Sequence, residues 1–390
     1  MDLALARRAL ALAEAGADVP LAAQARFWTG YIHYGLGDMP EAVQHCERAL
    51  AEARASGDRR LILQVAAALG QALTGAARYT QALPLLDEII AGRRRGTGRT
   101  DPLTAFTIVC RACVLGDRGE FDAAEAAFAD ALQCVVGDEH EIGSTVHGWH
   151  AAVLLWRGHW QRAQAAAAES ARIARGTRSL AQYAIAEAIG GFAQWRLSGS
   201  AAAVARIEQA TAWVAPREAG LYRSFNHGWL AEALFALGRR DEARRAAAQA
   251  LRRARRSDWL GVAMGRRALA LDALQRGRLG EAQRHVAAAY AAARLRESAH
   301  ELAQTQCTEA QLLQAAGRGA DADRLLADAL ASFERMDMRW HAAQARALRA
   351  GDARDQRGVS ISSTGDPVGR SVPASNSPDS SASSTPTPMP

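Results

Sequence analysis

Small and large apolar residues recur along this chain at helical spacing, in paired segments that are separated by a repeated turn. The turn has the form Gly-x-x-x-x-Ala, and its six clear copies begin at Gly37, Gly119, Gly158, Gly238, Gly277 and Gly317. Two weaker copies begin at Ala77, which replaces the Gly, and at Gly199, after which Val204 replaces the Ala. The seven intervals between positions 37 and 317 average 40 residues. A fixed period of this length indicates a repeat architecture.

Each repeat is predicted to be two helices packed along a seam. The residue seven positions before the turn is small in every repeat except the one that carries Phe192: Gly30, Gly70, Ala112, Ala151, Ala231, Ala270 and Ala310. Four positions before the turn the side chain is usually large, as at Leu73 and Trp195. Small and large residues on one stripe let two helices approach closely and still fill the seam. The turn Gly fits a left-handed helix C-cap, where a Cβ atom is unfavourable.

Large side chains also follow the turn. Two positions after the turn residue lie Met39, Tyr79, Phe121, Trp160 and Leu279. We expect each of them to fill the space between the two helices of its hairpin. Together with the small residue, the turn Gly and the following Ala, this pattern resembles the tetratricopeptide repeat over roughly residues 20–335. The period is longer than the usual 34 residues of that repeat.

The longer variant is similar to the C-terminal arrays of bacterial signal-transducing ATPases, cyclase-linked regulators and maltose-regulator-type transcription activators. The resemblance implies an all-α fold, a right-handed superhelical solenoid of about eight repeats of ~40 residues with a long concave surface. It also implies a regulatory role, in which the array senses a ligand or acts as a scaffold for an upstream nucleotide-binding, cyclase or transcription regulator.

The ends of the chain depart from the repeat. Residues 8–15 match residues 48–55 at six of eight positions, so 1–18 is predicted to be a half repeat that contributes only a second helix. Either this helix caps the array unaided, or the chain is the C-terminal part of a longer protein. The solenoid is predicted over 19–336 and a capping helix anchored by Trp340 over 337–350. Breaks between repeats are predicted at Gly57-Asp58, Gly92 through Pro102 (the longest and most basic loop), Gly137-Asp138, Gly176, Pro216, Ser257-Asp258 and Asp337. Residues 351–390 hold six of the eleven prolines among many Ser and Thr, which predicts a disordered tail.

Composition narrows the chemistry further. All 47 basic residues are Arg, which excludes a Walker-A lysine and a Schiff-base lysine. Five cysteines, an odd number, argue against a disulfide framework, and no apolar run is long enough to span a membrane. We therefore expect a cytoplasmic protein. A carboxylate pair, a Ser/His/Asp set and a phosphate-binding loop are not recognisable, so we predict neither an enzyme nor a cofactor.

Two motifs could instead bind a metal. Cys110-x-x-Cys113 lies inside a predicted helix, and Cys134 and His140 could be imagined as further ligands, but small apolar filler in the seam explains the pair better. His147-x-x-His150, with His159 downstream, could face one side of a helix. The tripeptide that begins at His147 recurs 80 residues later at His227-Gly228-Trp229, which is two periods and favours packing. No metal site is predicted.

The partner-binding surface is the remaining question. Aromatic residues on first helices are expected to line the concave groove: Trp28, Tyr31, Tyr34, Trp149, Trp156, Trp229 and Phe235. The alternative is that these rings pack between neighbouring repeats. Residues 238–280 hold 12 Arg against 4 acidic residues, and Arg245, Arg252 and Arg256 share one helix face. That basic patch could dock an acidic partner or nucleic acid, or it could be a solvated outer face.

The function that these observations favour is a non-enzymatic scaffold or sensor that binds a protein or peptide in the groove. A self-contained peptide receptor, in which ligand entry releases a partner, is an alternative of the same class. Nucleic-acid binding through residues 238–280 and a metal protein are alternatives of other classes. We do not expect a membrane partner.

Overall fold

The structure is a computed structural model that describes residues 2–97, 102–135, 141–214 and 223–351. In these ranges the chain forms eighteen α helices and no strand. The helices are α1 (Leu3–Ala15), α2 (Val19–Gly35), α3 (Met39–Ser56), α4 (Arg59–Gly75), α5 (Tyr79–Thr97), α6 (Pro102–Asp117), α7 (Phe121–Gln133), α8 (Glu141–Arg157), α9 (Trp160–Gly176), α10 (Leu180–Ser198), α11 (Ala201–Val214), α12 (Arg223–Ala236), α13 (Arg240–Arg253), α14 (Val262–Gln275), α15 (Leu279–Leu295), α16 (Ala299–Ala315), α17 (Gly319–Arg335) and α18 (Arg339–Arg349). A 3-10 turn, Ala254–Arg256, follows α13.

The helices form eight consecutive hairpins, from α2–α3 to α16–α17, and each hairpin turns at a predicted turn position. All eight turn residues have a positive φ, between 58° at Ala77 and 90° at Gly158. The left-handed conformation explains why Gly occupies seven of these eight positions. The predicted all-α solenoid of about eight 40-residue repeats is confirmed.

The seams of the hairpins contain the predicted small residues because a larger side chain would not fit. A Cβ atom added at Gly30 would lie 2.8 Å from Cys46 Sγ, and one added at Gly70 would lie 2.7 Å from Leu86 Cδ2. Ala112, Ala151 and the other predicted seam alanines are fully buried. Close approach of the two backbones therefore follows from the absence of side-chain volume at this one position.

The repeat that carries Phe192 is in a register shifted by one residue. Helix α10 ends at Ser198, so that Gly199 is itself the left-handed C-cap. The close-contact position then falls on Gly191, whose added Cβ would lie 2.9 Å from Ile207 Cγ1 and 3.1 Å from the carbonyl oxygen of Ala203. A small residue is thus present, eight positions before the turn Gly instead of seven.

Four of the five predicted plugs between paired helices are buried: Met39, Tyr79, Phe121 and Trp160. The fifth, Leu279, is 36% exposed, so that prediction is wrong for the hairpin α14–α15. There Val286 lies in the core instead, in contact with alanines of both helices.

First helices of neighbouring repeats contact one another along much of the array, as α6 and α8 or α12 and α14 do. In the described ranges, second helices of neighbouring repeats make at most marginal contact. The first helices therefore form the inner wall of the array. No helix in the described part of the chain combines the length and the apolar character needed to cross a membrane.

The boundaries between repeats differ from prediction in one place. The sequence predicts a long basic loop from Gly92 to Pro102, but α5 continues to Thr97, and residues 98–101 lie outside the described ranges. The predicted breaks at Gly137-Asp138 and Pro216, and residues 352–390 of the predicted tail, also lie outside them. The predicted half repeat at 1–18 contains α1, and the predicted capping segment at 337–350 contains α18.

Candidate functional site

Aromatic rings from successive first helices meet on the inner wall. Trp149 and Trp156 of α8 lie 6.3 Å and 5.7 Å, centroid to centroid, from Phe225 of α12. Phe225 in turn lies 3.7 Å from Trp229, and Trp229 lies 5.5 Å from Phe192 of α10. These rings, which come from α8, α10 and α12, form a continuous row across three repeats.

Two pockets adjoin this row. The first has a volume of about 380 Å³, counting the space that opens to solvent, and it lies among the first helices of the first four repeats. Its lining is mostly apolar and aromatic and consists of Tyr34, Thr74, Tyr79, Phe106, Val109, Cys110, Cys113, Trp149, Trp156 and Leu260. Leu260 comes from the segment before α14, so distant repeats close this pocket.

The second pocket has a volume of about 310 Å³ on the same measure. Its lining comes from α8, α10 and α12 and includes the amide side chains of Gln182 and Asn226 among apolar residues. Trp149 lines both pockets. Apolar walls with a few polar groups are typical of sites that bind a ligand.

A buried ionic cluster ties the third repeat to the seventh and eighth. Asp117, at the end of α6, accepts hydrogen bonds from Arg296 Nε and Nη2 at 2.9 and 2.6 Å and from Tyr79 Oη at 2.5 Å. His300 Nε2 lies 3.1 Å from the same carboxylate, and Arg296 also donates to the carbonyl oxygen of Leu260 at 2.9 Å. We call Tyr79, Asp117, Arg296 and His300 the polar clamp.

The electrostatics of the polar clamp are strong because its groups are removed from water. Asp117, Arg296 and His300 are all fully buried. Burial alone would raise the pKa of Asp117, but the charge of Arg296 and the hydrogen bond from His300 hold that pKa well below its usual range. Asp117 is therefore ionised at neutral pH, and Arg296 balances its charge.

Other contacts join the same distant repeats around the polar clamp. Arg157 forms an ion pair with Asp337 at 3.1 Å, and the rings of Trp160 and Trp340 lie 5.2 Å apart. A Cβ atom added at Gly158 would lie 3.1 Å from the ring of His341. The turns of the third and fourth repeats are thus covered by the last hairpin and α18.

The structure distributes the seven predicted groove aromatics over three environments. Tyr34, Trp149 and Trp156 line the first pocket. Trp28 and Tyr31 are 38% and 40% exposed on α2. Trp229 is buried in the aromatic row and Phe235 is half-buried against the core, so these two match the alternative in which rings pack between repeats.

The structure also locates the two motifs considered for metal binding. Cys110 and Cys113 are buried and line the first pocket, and burial raises the pKa of the Cys110 thiol to about 12. His140 lies outside the described residues. His150 stacks on Phe128 at 5.0 Å, and neither motif belongs to a metal-capable cluster among the described residues.

Packing accounts for the repeated tripeptide. A Cβ atom added at Gly148 would lie 3.1 Å from Ser170 Oγ, and one added at Gly228 would lie 2.8 Å from the carbonyl oxygen of Gly261. In both copies the central glycine is therefore a point of close approach. The atoms that approach the two glycines differ. What the two copies share is therefore close packing at the glycine and not a common contact.

The basic segment 238–280 is partly neutralised by its surroundings. Arg239 pairs with Glu208 at 2.7 Å, Arg276 with Asp272 at 2.8 Å, and Arg267 with the buried Glu301. The three predicted patch residues, Arg245, Arg252 and Arg256, are exposed, and no salt bridge to them occurs among the described residues. Helix α13 ends at Arg253, so Arg256 lies in the 3-10 turn beyond it.

The sequence pattern did not identify several residues of the site. The pattern places Tyr79 only in the hairpin seam and gives no role to Phe106, Gln182 and Asn226. For these last three, the available signal is their position on first helices of the repeat frame, which form the inner wall. The polar clamp had no such signal, because Asp117 and Arg296 are 179 residues apart.

The fold and the inner wall together define a tetratricopeptide-type helical-repeat protein. The model of one family, described as tetratricopeptide repeat, matches residues 21–95. A comparison with proteins of curated function finds no match.

Three solved structures are similar to this chain. A Rap protein complexed with competence and sporulation factor is 14% identical, over 86% of this chain and 98% of that chain, with a TM-score of 0.56. The apo form of RapI is 13% identical, over 66% and 98%, with a TM-score of 0.48. Aspartyl phosphate phosphatase F from Bacillus subtilis is 12% identical, over 88% and 97%, with a TM-score of 0.41. At 14% identity, the comparison with the first of these shows the fold alone.

Proposed function

We propose that this protein is a non-enzymatic interaction scaffold or sensor, which binds a segment of a partner protein on the inner wall on either side of Trp149. The single observation that supports this most is the pair of pockets that share Trp149 as their common wall. A large, flat ring on a mostly apolar inner wall is suited to contact an extended segment of a partner.

The chemistry of the pockets supports a peptide ligand. The apolar lining offers burial for hydrophobic side chains, and the amides of Gln182 and Asn226 offer a donor and an acceptor each for a peptide backbone. The exposed rings of Trp28 and Tyr31 extend the apolar surface to the first repeat. The proposed ligand is therefore a mostly apolar segment of another protein.

The polar clamp supports a preformed site. Repeats that are far apart in the chain are held together at Asp117, next to the first pocket, where Tyr79 belongs to both. A surface that is already ordered loses little conformational entropy when a flexible segment binds to it. The regulatory role implied by the resemblance, with an upstream nucleotide-binding, cyclase or transcription regulator as partner, is part of this proposal.

The test is to select binding peptides from a random display library with the purified full chain and to measure their affinity for Trp149→Ala. Truncation of a central aromatic anchor commonly costs about 2 kcal/mol or more in binding, so we expect a loss of about thirty-fold or more. Leu279→Ala, which truncates an exposed apolar side chain on a second helix, serves as the control and is expected to bind as the wild type does.

Circular dichroism and thermal unfolding show whether Trp149→Ala keeps its fold. Failure to select any peptide, or equal binding by a folded Trp149→Ala, contradicts the proposal. Trp229→Ala is not a suitable test, because Trp229 is only 1% exposed and its truncation is expected to destabilise the core.

A further inference from the structure

The first hairpin contains a cluster of potential metal ligands that the proposed function does not use. His33 lies on α2, and Glu41 and His45 lie on α3. One ligand atom from each of these residues lies within 4.8 Å of the other two. Among the described residues this is the one such group of His, Cys, Asp or Glu side chains.

The histidines of the cluster have hydrogen-bonding atoms that the protein does not satisfy. His33 is 4% exposed, and neither of its ring nitrogens makes a hydrogen bond in the described structure. The Nδ1 atom of His45 is also buried without a hydrogen bond there. A buried polar atom without a partner costs about 1–3 kcal/mol, so such an atom calls for an explanation.

Packing does not supply that explanation. His33 lies four positions before the turn Gly of its repeat, where the next three repeats have Leu73, Leu115 and Leu154. Those leucines are buried at the same seam. An apolar side chain would therefore serve the seam equally well, without two unsatisfied nitrogens.

We propose that His33, His45 and Glu41 bind a divalent transition-metal ion, with zinc as the best fit. Two imidazole nitrogens and a carboxylate oxygen form a ligand set that zinc accepts, with the fourth position left to water or another group. Glu41 Oε2 lies 3.8 Å from His45 Nε2, and Asp38 Oδ2 lies 3.8 Å from His33 Nδ1. Asp38 is thus placed to accept a hydrogen bond from His33 or to become the fourth ligand.

The distances require only small movements. Ligand atoms around a tetrahedral zinc ion are about 3.3 Å apart, given zinc–nitrogen bonds of about 2.0–2.1 Å. Glu41 is 47% exposed and His45 is partly exposed, so both side chains can close on an ion without moving the helices. The rings of His33 and His45 are stacked with centroids 5.6 Å apart, so one ring must tilt for both in-plane lone pairs to meet at one ion.

The protonation states also suit a metal. Burial lowers the pKa of His33 and of His45, so both rings are neutral at pH 7, which is the form that binds a metal ion. The charges of Arg7, Arg26 and Arg48 act in the same direction on these rings. Arg26 is itself paired with Glu14 and Glu52, which limits its repulsion of a cation.

A bound ion would join α2 to α3 across the seam of the first hairpin. Helix α2 also carries Trp28, Tyr31 and Tyr34, so the ion would hold the helix that presents these aromatic rings. The proposal does not depend on the proposed function, because it concerns the seam and not the pockets.

The test uses the untagged full chain after EDTA treatment and buffer exchange, titrated with zinc chloride in a calorimeter. We expect one zinc ion per chain, and cobalt(II) in its place should give the visible absorption of a tetrahedral site. His45→Gln should abolish binding, and Glu41→Gln should weaken it at least ten-fold. His285→Gln, a partly exposed histidine on α15, is the matched control and should bind as the wild type does.

Glu41→Gln decides the question if His45→Gln fails to fold, because the exposed Glu41 carboxylate has little role in packing. Absence of zinc binding by the wild type at micromolar concentrations overturns the proposal. Equal binding by wild type and Glu41→Gln, or an equal loss in His285→Gln, places any bound ion elsewhere and overturns it as well.

Discussion

Left-handed backbone conformations join the helices of this protein, within hairpins and also between them. Gly57, Arg178, Ser257, Glu297 and Asp337, at turns between repeats, have φ values of 50° to 73°. A side chain in this region costs roughly 1–2 kcal/mol, which only Gly avoids. The turns within hairpins use Gly almost throughout, whereas most turns between repeats in the described ranges carry this cost.

Two exposed glycines isolate this backbone effect. A Cβ atom added at Gly238 or at Gly280 would meet no atom within 4 Å, but Gly238 has a φ of 78° and Gly280 lies inside α15. We expect Gly238→Ala to lower the free energy of unfolding by about 1–2 kcal/mol and Gly280→Ala to raise it by up to about 1 kcal/mol. Denaturant unfolding of both variants measures the difference, and a shift of the same sign in both would contradict it.

At the scale of the element, the repeat frame predicted where helices pair but not where one of them shifts. The sequence places Phe192 at a position that needs a small residue, and the structure moves the contact to Gly191. The sequence does contain small residues here, at Gly190 and Gly191. Counting seven positions back from the turn Gly, however, gives Phe192 and not Gly191 as the contact position. The register of this hairpin depends on where α10 ends, and its left-handed cap at Gly199 lets the helix continue to Ser198.

The seam at Gly191 therefore should not tolerate a methyl group. We expect Gly191→Ala to destabilise the protein by about 1–3 kcal/mol, because the backbone of Ala203 and Ile207 cannot move aside as a flexible side chain could. Gly265→Ala is the matched control, since it faces α13 from inside α14 with ordinary contacts of 3.5 Å and longer. Thermal unfolding distinguishes the two, and an equal midpoint for both variants would show that the shifted register is wrong.

For the whole molecule, periodicity predicted the helical repeats, whereas the contacts between distant repeats were beyond its reach. A repeat pattern reports what each hairpin shares with the next one. The bonds from Asp117 to Arg296 and from Arg157 to Asp337 instead join repeats that are far apart in the sequence. The first pocket also depends on a contact between distant repeats, because Leu260 closes it from the segment before α14.

Removing the charge of Asp117 tests the polar clamp. Asp117→Asn leaves Arg296 buried without its counter-charge, which is expected to cost about 3–5 kcal/mol of the free energy of unfolding. Asp323→Asn, which breaks an exposed pair with Arg349, should cost less than about 1 kcal/mol. Urea unfolding at pH 7 compares the two, and equal small losses would mean that the clamp contributes little.

The pH dependence of that loss has a definite sign. Because the pKa of Asp117 is lowered on folding, its stabilising contribution is complete above the carboxyl pKa of the unfolded chain, about 3.9. The contribution is lost only as the pH falls below that value towards the lowered pKa. The difference between wild type and Asp117→Asn in urea unfolding should therefore shrink as the pH falls below about 3.9.

Arg296 and Asp117 also change how the array is expected to lose its structure. In a solenoid whose units bond only to adjacent units, stability is close to one-dimensional, and terminal units can fray while the middle survives. Here the turns of the third and fourth repeats contact the last hairpin and α18. Fraying at the C-terminal end therefore also removes contacts from the central repeats. The consequence is cooperativity: the units in the middle and at that end should melt together, in a single transition.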